Sequence, residues 1–251
     1  MRTTTYLGLF LGFLVIFLAV RAKGGDASLF TNTVALLIAV GGTFAATTLS
    51  SSRMTAVHAI SAMKRMFISG AHNSGAIANE MIRLARLAKA QGLSAIDPEE
   101  IPLKEPFLVK GLRLVADAVE PERLEELLRL ESSILSEKRA AAERMFRLMG
   151  TYSPMFGLVG TLIGLITMLK GLTDPRAIGQ GMSVALMATF YGVLLAGLVF
   201  LPLAGKVRTM DLDERLQRDQ IIAGLLAIRL GQNAEYVRET LDIFTQRGDR
   251  A

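Results

Sequence analysis

From Gly150 to Leu169 the chain runs through about twenty residues without a charged side chain, the length an α-helix needs to cross the hydrocarbon core of a bilayer. At 100° per residue, Pro154, Gly157, Thr161, Gly164 and Met168 fall near one stripe of that helix. Gly160 and Gly164 add a small-xxx-small spacing, which lets a second backbone approach closely. Gly157, Gly160 and Gly164 are therefore expected to pack against protein and not lipid. Three further uncharged blocks accompany this one: Thr3 to Val20, Phe30 to about Leu49, and Met182 to about Leu203, where Pro202 marks the end of the span. Only 20% of residues are charged, below the roughly 25% of soluble domains, and the shortfall sits in these four blocks. The expected fold is an all-α membrane protein with four transmembrane helices. The first block leads through Arg21-Ala22-Lys23 straight towards another span, so it is read as a retained helix and not as a cleaved signal.

Lysine and arginine set the orientation. Arg53 to Arg147 carries 15 of them and the tail from Lys206 carries 8, whereas the two short hairpin loops share only Arg21, Lys23, Lys170 and Arg176. Basic residues beside span ends mark the cytoplasmic side. Four stretches follow: transmembrane helices 1 and 2 in residues 1–52, a cytoplasmic helical domain in 53–148, transmembrane helices 3 and 4 in 149–206, and a cytoplasmic helical tail in 207–251. Both termini are expected in the cytoplasm of a multi-pass inner-membrane protein. Within the loop domain, Ile77, Met81, Leu84 and Leu87 repeat at helical spacing and Gly92 supplies a stop. Phe107 to Val119 repeats likewise, and Pro121-Glu122 opens a helix that is expected to run on towards span three. In the tail, Ile221, Leu225, Ile228, Val237, Leu241 and Phe244 form a broken stripe that belongs against the loop domain.

The available chemistry is sparse. There is no cysteine, no nucleophile elbow, no phosphate loop and no zinc spacing, and His58 and His72 stand fourteen residues apart without neighbouring ligands, so neither an enzyme nor a metal site is expected. The formal charge of +5 fits lipid headgroups beside spans better than nucleic acid. None of the four span cores holds Asp, Glu, His, Lys or Arg. An ion path ordinarily uses a membrane carboxylate, so a conducting assembly has to borrow that group from another chain.

Several runs stand out: Pro154 to Gly164, Asp174-Pro175 and Ala177-Ile178-Gly179, Val184-Ala185-Leu186 through Thr189, Tyr191 and Gly192 to Leu201-Pro202-Leu203-Ala204, and in the loop Ala88-Lys89 and Gly92 to Asp97. Together they resemble the flagellar stator subunits of the MotA/PomA family. The resemblance implies five such subunits around two copies of a single-span MotB/PomB-type partner, whose membrane aspartate binds the sodium ion or proton that drives rotation against the rotor protein FliG. No cofactor is implied besides the transported ion. Lys89 and Asp97 resemble the family's rotor-contacting loop charges, with Arg86, Glu99 and Glu100 beside them. Lys89 stands where the family carries arginine, which gives up bidentate geometry. Pro154 and Pro202 match the prolines that couple ion binding to the cytoplasmic domain; physically each removes a backbone hydrogen bond, and each reads equally as a hinge or as a helix boundary. Thr161 and Thr189 match hydroxyls of the ion path in sodium-type relatives, although a threonine in a span can also bond back to its own helix. The alternative is an ExbB/TolQ-like energiser of envelope transport.

Overall fold

The structure is a computed structural model that describes residues 2–22, 30–68, 74–96 and 105–248, and among these it is helical with no strand. Eight helices follow one another: α1 (Arg2–Ala22), α2 (Thr33–Ser50), α3 (Arg53–Ile68), α4 (Ser74–Gln91), α5 (Pro106–Ala116), α6 (Pro121–Lys170), α7 (Pro175–Arg229) and α8 (Ala234–Gly248). By length and composition α2, α6 and α7 can each cross a membrane, and α1 adds the shorter apolar run Phe10–Ala22. The chain divides into two compact units. The first holds Met1–Gly70 and Lys138–Thr209, and the second holds Ala71–Glu137 and Met210–Ala251. Helix α3 thus groups with the spans, as does the stretch of α6 that begins at Lys138.

In the first unit, α2 turns a buried stripe of small side chains inward, Ala35, Ala39, Thr43 and Thr47, spaced four apart as one face of a helix demands. Both threonines are fully sequestered, and each donates to its own helix, Thr43 to Ala39 O at 2.5 Å and Thr47 to Thr43 O at 2.7 Å. The wide faces left to the surroundings are apolar, with Leu158, Leu162 and Ile166 on α6 and Leu186 and Val193 on α7. That is the composition a helix shows to lipid or to another helix in a bilayer. Two segments widen into π turns, Leu37–Gly41 in α2 and Leu195–Phe200 in α7.

The second unit is an ordinary helical core. Ile77, Met81 and Leu84 of α4, Leu108, Leu112 and Val115 of α5, Leu124 and Leu128 of α6, Ile221, Leu225 and Ile228 of α7, and Val237 and Leu241 of α8 are all buried in one cluster. Each such side chain contributes about 1.5–3 kcal/mol. The close fit of α5 on α7 depends on Gly111, whose missing Cβ leaves the space that Leu225 Cδ1 fills. Breaks fall where backbone chemistry puts them. Gly92 has φ 88° and Gly231 φ 68°, values that glycine tolerates, and Gly231 accounts for the interruption in the tail's apolar stripe.

Candidate functional site

Helices α6 and α7 run antiparallel through the first unit, and glycines weld them together. A Cβ added at Gly157 falls 3.0 Å from Ala188 O; one at Gly164 falls 2.5 Å from Gly181 O and 2.6 Å from Ala185 N; one at Gly192 falls 2.6 Å from Ser153 O. Gly160 lies against Ala188 in the same way. The obstacles at Gly157, Gly164 and Gly192 are backbone atoms, which cannot swing aside. Ser153, fully buried, donates from Oγ to Gly192 O at 3.0 Å and fixes the register at one end. Gly157, Gly160 and Gly164 of α6 all lie against this facing helix. Their partners Gly181, Ala185, Ala188 and Gly192 lie on the other span of the same chain. At Gly157, Gly164 and Gly192 the space beside the glycine is taken up by backbone of the facing span.

The threonines lie beside the seam. Thr161 is half-buried and donates from Oγ1 to Leu158 O at 2.6 Å, while Thr189 makes a longer bond to Ala185 O at 3.4 Å. Both hydroxyls thus have the local partner that a threonine finds in its own helix. The 3.4 Å bond at Thr189 is the weaker and the easier to exchange for another ligand.

Helix α6 passes through Pro154 without a break, and α7 continues past Pro202 to Arg229, so neither proline is a helix boundary. Pro154 deprives the Gly150 carbonyl of its usual donor. Pro202 lies two residues beyond the π turn Leu195–Phe200, a wider winding suited to a ring that crowds the preceding turn.

At the end of α2, Asn32 caps the helix by accepting from Ala35 N at 3.0 Å, donates its amide to Ser183 Oγ at 3.2 Å, and gives its backbone N–H to the Tyr191 hydroxyl at 3.0 Å. The Tyr191 hydroxyl in turn donates to Phe30 O. Tyr191 is thereby explained as a clamp between α2 and α7, a role its place in a motif does not disclose. At the other end of α2, Ser50 and Tyr152 hydroxyls meet at 2.9 Å.

In the second unit, Arg83, Arg86 and Lys89 lie exposed on α4. Arg83 binds Glu80 at 2.5 Å, and that hydrogen bond holds the guanidinium proton above its ordinary affinity, with the Coulombic attraction adding and partial burial opposing. Among the described residues Arg86 and Lys89 form no ion pair, so their charges face outward. Asp97, Glu99 and Glu100 lie outside the described residues, as does His72.

Comparison with known proteins accounts for this arrangement. The family model of the MotA/TolQ/ExbB proton channel family matches residues 100–220. The chain is 31% identical to motility protein A of Borreliella burgdorferi, over 100% of this chain and 96% of that protein, and 31% identical to chemotaxis protein PomA of Vibrio alginolyticus, over 100% and 98%. The chain belongs to the MotA/PomA family. Structures agree: C. jejuni MotAB superposes with a TM-score of 0.89 at 25% identity, covering 97% of this chain and 96% of that one. The flagellar MotAB stator complex of Bacillus subtilis has the same fold, with a TM-score of 0.87 at 24% identity. Sequence reasoning missed Ser153, Asn32, Thr43 and Thr47. Spacing gives Thr43 and Thr47 away, since Ala35, Ala39, Thr43 and Thr47 recur every four residues.

Proposed function

We propose that this chain is the A subunit of a flagellar stator, which joins a single-span MotB/PomB-type partner to form an ion channel and turns ion flow into torque on the rotor. The observation that carries the reading is the full-length likeness to motility protein A and PomA in a chain whose span cores contain no ionisable side chain. Such a chain can shape an ion path but cannot supply its titratable group, which a partner carboxylate does. We assign it to the inner membrane with both termini and the second unit in the cytoplasm, as five copies around two partner subunits. In this assignment Arg86, Lys89, Asp97, Glu99 and Glu100 meet FliG, and Pro154 and Pro202 relay ion binding to the cytoplasmic part. Of the two ions, the Thr161 and Thr189 hydroxyls favour sodium, a hard cation served by oxygen ligands.

The test is genetic and physiological. A motile bacterium stripped of its stators should swim again when given this chain with its B-type partner, and should remain paralysed with either alone. Failure of the pair to restore any torque, with both proteins in the membrane, overturns the reading. Speed measured against external sodium at fixed pH decides the ion: equal speed with potassium in place of sodium leaves a proton-driven stator.

A further inference from the structure

Within the second unit a cavity of about 290 Å³ opens between α6 and α7, lined by Arg129, Ser132, Ser133, Ser136 and Glu137 of α6 and by Arg215 and Asp219 of α7. A hydroxyl inside a helix ordinarily bonds back to its own backbone, as Ser50 does to Ala46 O and Thr167 to Ile163 O. Ser132 and Ser136 do not. Ser132 Oγ accepts from Arg218 Nε at 3.0 Å, and Ser136 Oγ accepts from a terminal nitrogen of Arg218 at 2.9 Å. Arginine offers no acceptor in return. Among the described residues neither hydroxyl proton has an acceptor, and Ser133 beside them makes no hydrogen bond.

Arg218 is only 5% exposed, so a buried cation backs the two hydroxyls, and such a chain of hydrogen bonds strengthens its last donor. At the rim, Arg129 and Arg215 hold Glu125 and Asp211 through Nε at 2.7 and 2.8 Å, which leaves their terminal nitrogens without a partner among the described residues. Hydroxyl and guanidinium donors that converge on one space call for an oxyanion. Charge decides which kind. The guanidinium groups of Arg129, Arg215 and Arg218 stand among more carboxylates than their own number, those of Glu125, Asp211, Glu214, Glu137 and Asp219. A phosphate dianion would meet that surplus of negative charge. A carboxylate whose own molecule carries an ammonium group would not, because Asp219, which has no ion pair among the described residues, lines the same cavity as Glu137 and can take the cation. The volume falls just below the ~300 Å³ where sites for drug-sized ligands begin, which suits a molecule of few atoms. We propose that this cavity binds a free α-amino acid, its carboxylate on Ser132, Ser136 and the rim arginines and its ammonium group on Asp219. The assignment holds whether or not the chain drives a rotor.

Saturation-transfer NMR on the full chain in detergent tests it, with L-alanine, L-glutamine, acetate, methylamine and inorganic phosphate as separate probes. The two poles are common to all α-amino acids, so both amino acids should bind, and acetate and methylamine, each with one pole, should bind about tenfold more weakly. Asp219→Asn and Ser132→Ala should each weaken L-glutamine about tenfold. Asp219 is exposed, so its substitution spares the fold, and an unchanged melting temperature verifies this. Should Ser132→Ala fail to fold, Arg129→Gln at the exposed rim probes the same carboxylate end. Absence of binding by both amino acids overturns the proposal. Acetate or phosphate bound as tightly as L-glutamine gives the cavity to a simple anion and overturns the amino-acid assignment. Binding that ignores both Asp219→Asn and Arg129→Gln lies elsewhere on the molecule, and the cavity loses its ligand.

Discussion

A methyl group is the smallest perturbation the α6–α7 seam can be given. At Gly164 it meets Gly181 O at 2.5 Å and Ala185 N at 2.6 Å, whereas at Gly179 or Gly197 it meets nothing within 4 Å. Gly164→Ala should therefore destabilise by about 1–3 kcal/mol or prevent assembly, and Gly197→Ala should leave the melting temperature of the purified protein unchanged; equal melting temperatures would remove the seam's claim to be tight. Thr161 poses the opposite case. Its hydroxyl serves its own helix, so Thr161→Ala should cost little stability and lower sodium-dependent swimming, read as speed against sodium with the amount of assembled complex held equal. Lys89 is exposed and forms no ion pair among the described residues. Charges at the rim of an interface set encounter and register, so Lys89→Glu should impair motility more than Lys89→Ala; normal swimming of a Lys89→Glu, Asp97→Lys double variant would remove both residues from the rotor contact. The glycines of α6 were legible because packing leaves a periodic trace on one helix. Their partners were not, since which helix fills the groove is a long-range fact that local spacing does not encode.

Helices were the most legible level of organisation. Ile77, Met81 and Leu84 marked the buried face of α4, Gly92 its stop, and Pro121 the start of a helix that runs on without interruption to Lys170. Boundaries inside the long helices were less so. A proline in sequence reads equally as hinge or terminus, and only the continuous backbone through Pro154 and Pro202 decides against the terminus. The π turns at Leu37–Gly41 and Leu195–Phe200 leave no sequence signature, because one extra residue per turn shifts a helix face without changing composition. With a boundary role gone, a mechanical one can be tested. Pro154→Ala restores a donor to the Gly150 carbonyl, so it should keep or slightly raise thermal stability while lowering torque. Swimming of the Pro154→Ala strain in media of rising viscosity reads the torque, and an unaltered speed–load relation would leave Pro154 with no part in coupling.

At the level of the whole molecule, the decisive fact is a lack of charge where an ion has to pass. A sodium ion or proton crossing the hydrocarbon core needs ligands that replace water or a group that titrates. In the span cores the polar side chains are hydroxyls and one amide, and Thr43, Thr47, Ser153, Thr161 and Thr189 all donate to backbone carbonyls within the chain. At Gly157, Gly164 and Gly192 of the glycine seam, backbone of one span lies directly against the other. In the proposed stator the ion path runs along a face of this chain that the partner chains complete, so the sequence and structure of one chain identify the framework more fully than the channel. Purified chain in vesicles should accordingly be silent to both sodium and proton gradients, and should conduct when co-reconstituted with its B-type partner. An ion-sensitive dye inside the vesicles reports both cases. Selective flux through the chain alone would mean that hydroxyls and carbonyls suffice, and the borrowed carboxylate, with the two-protein channel built on it, would have to be given up.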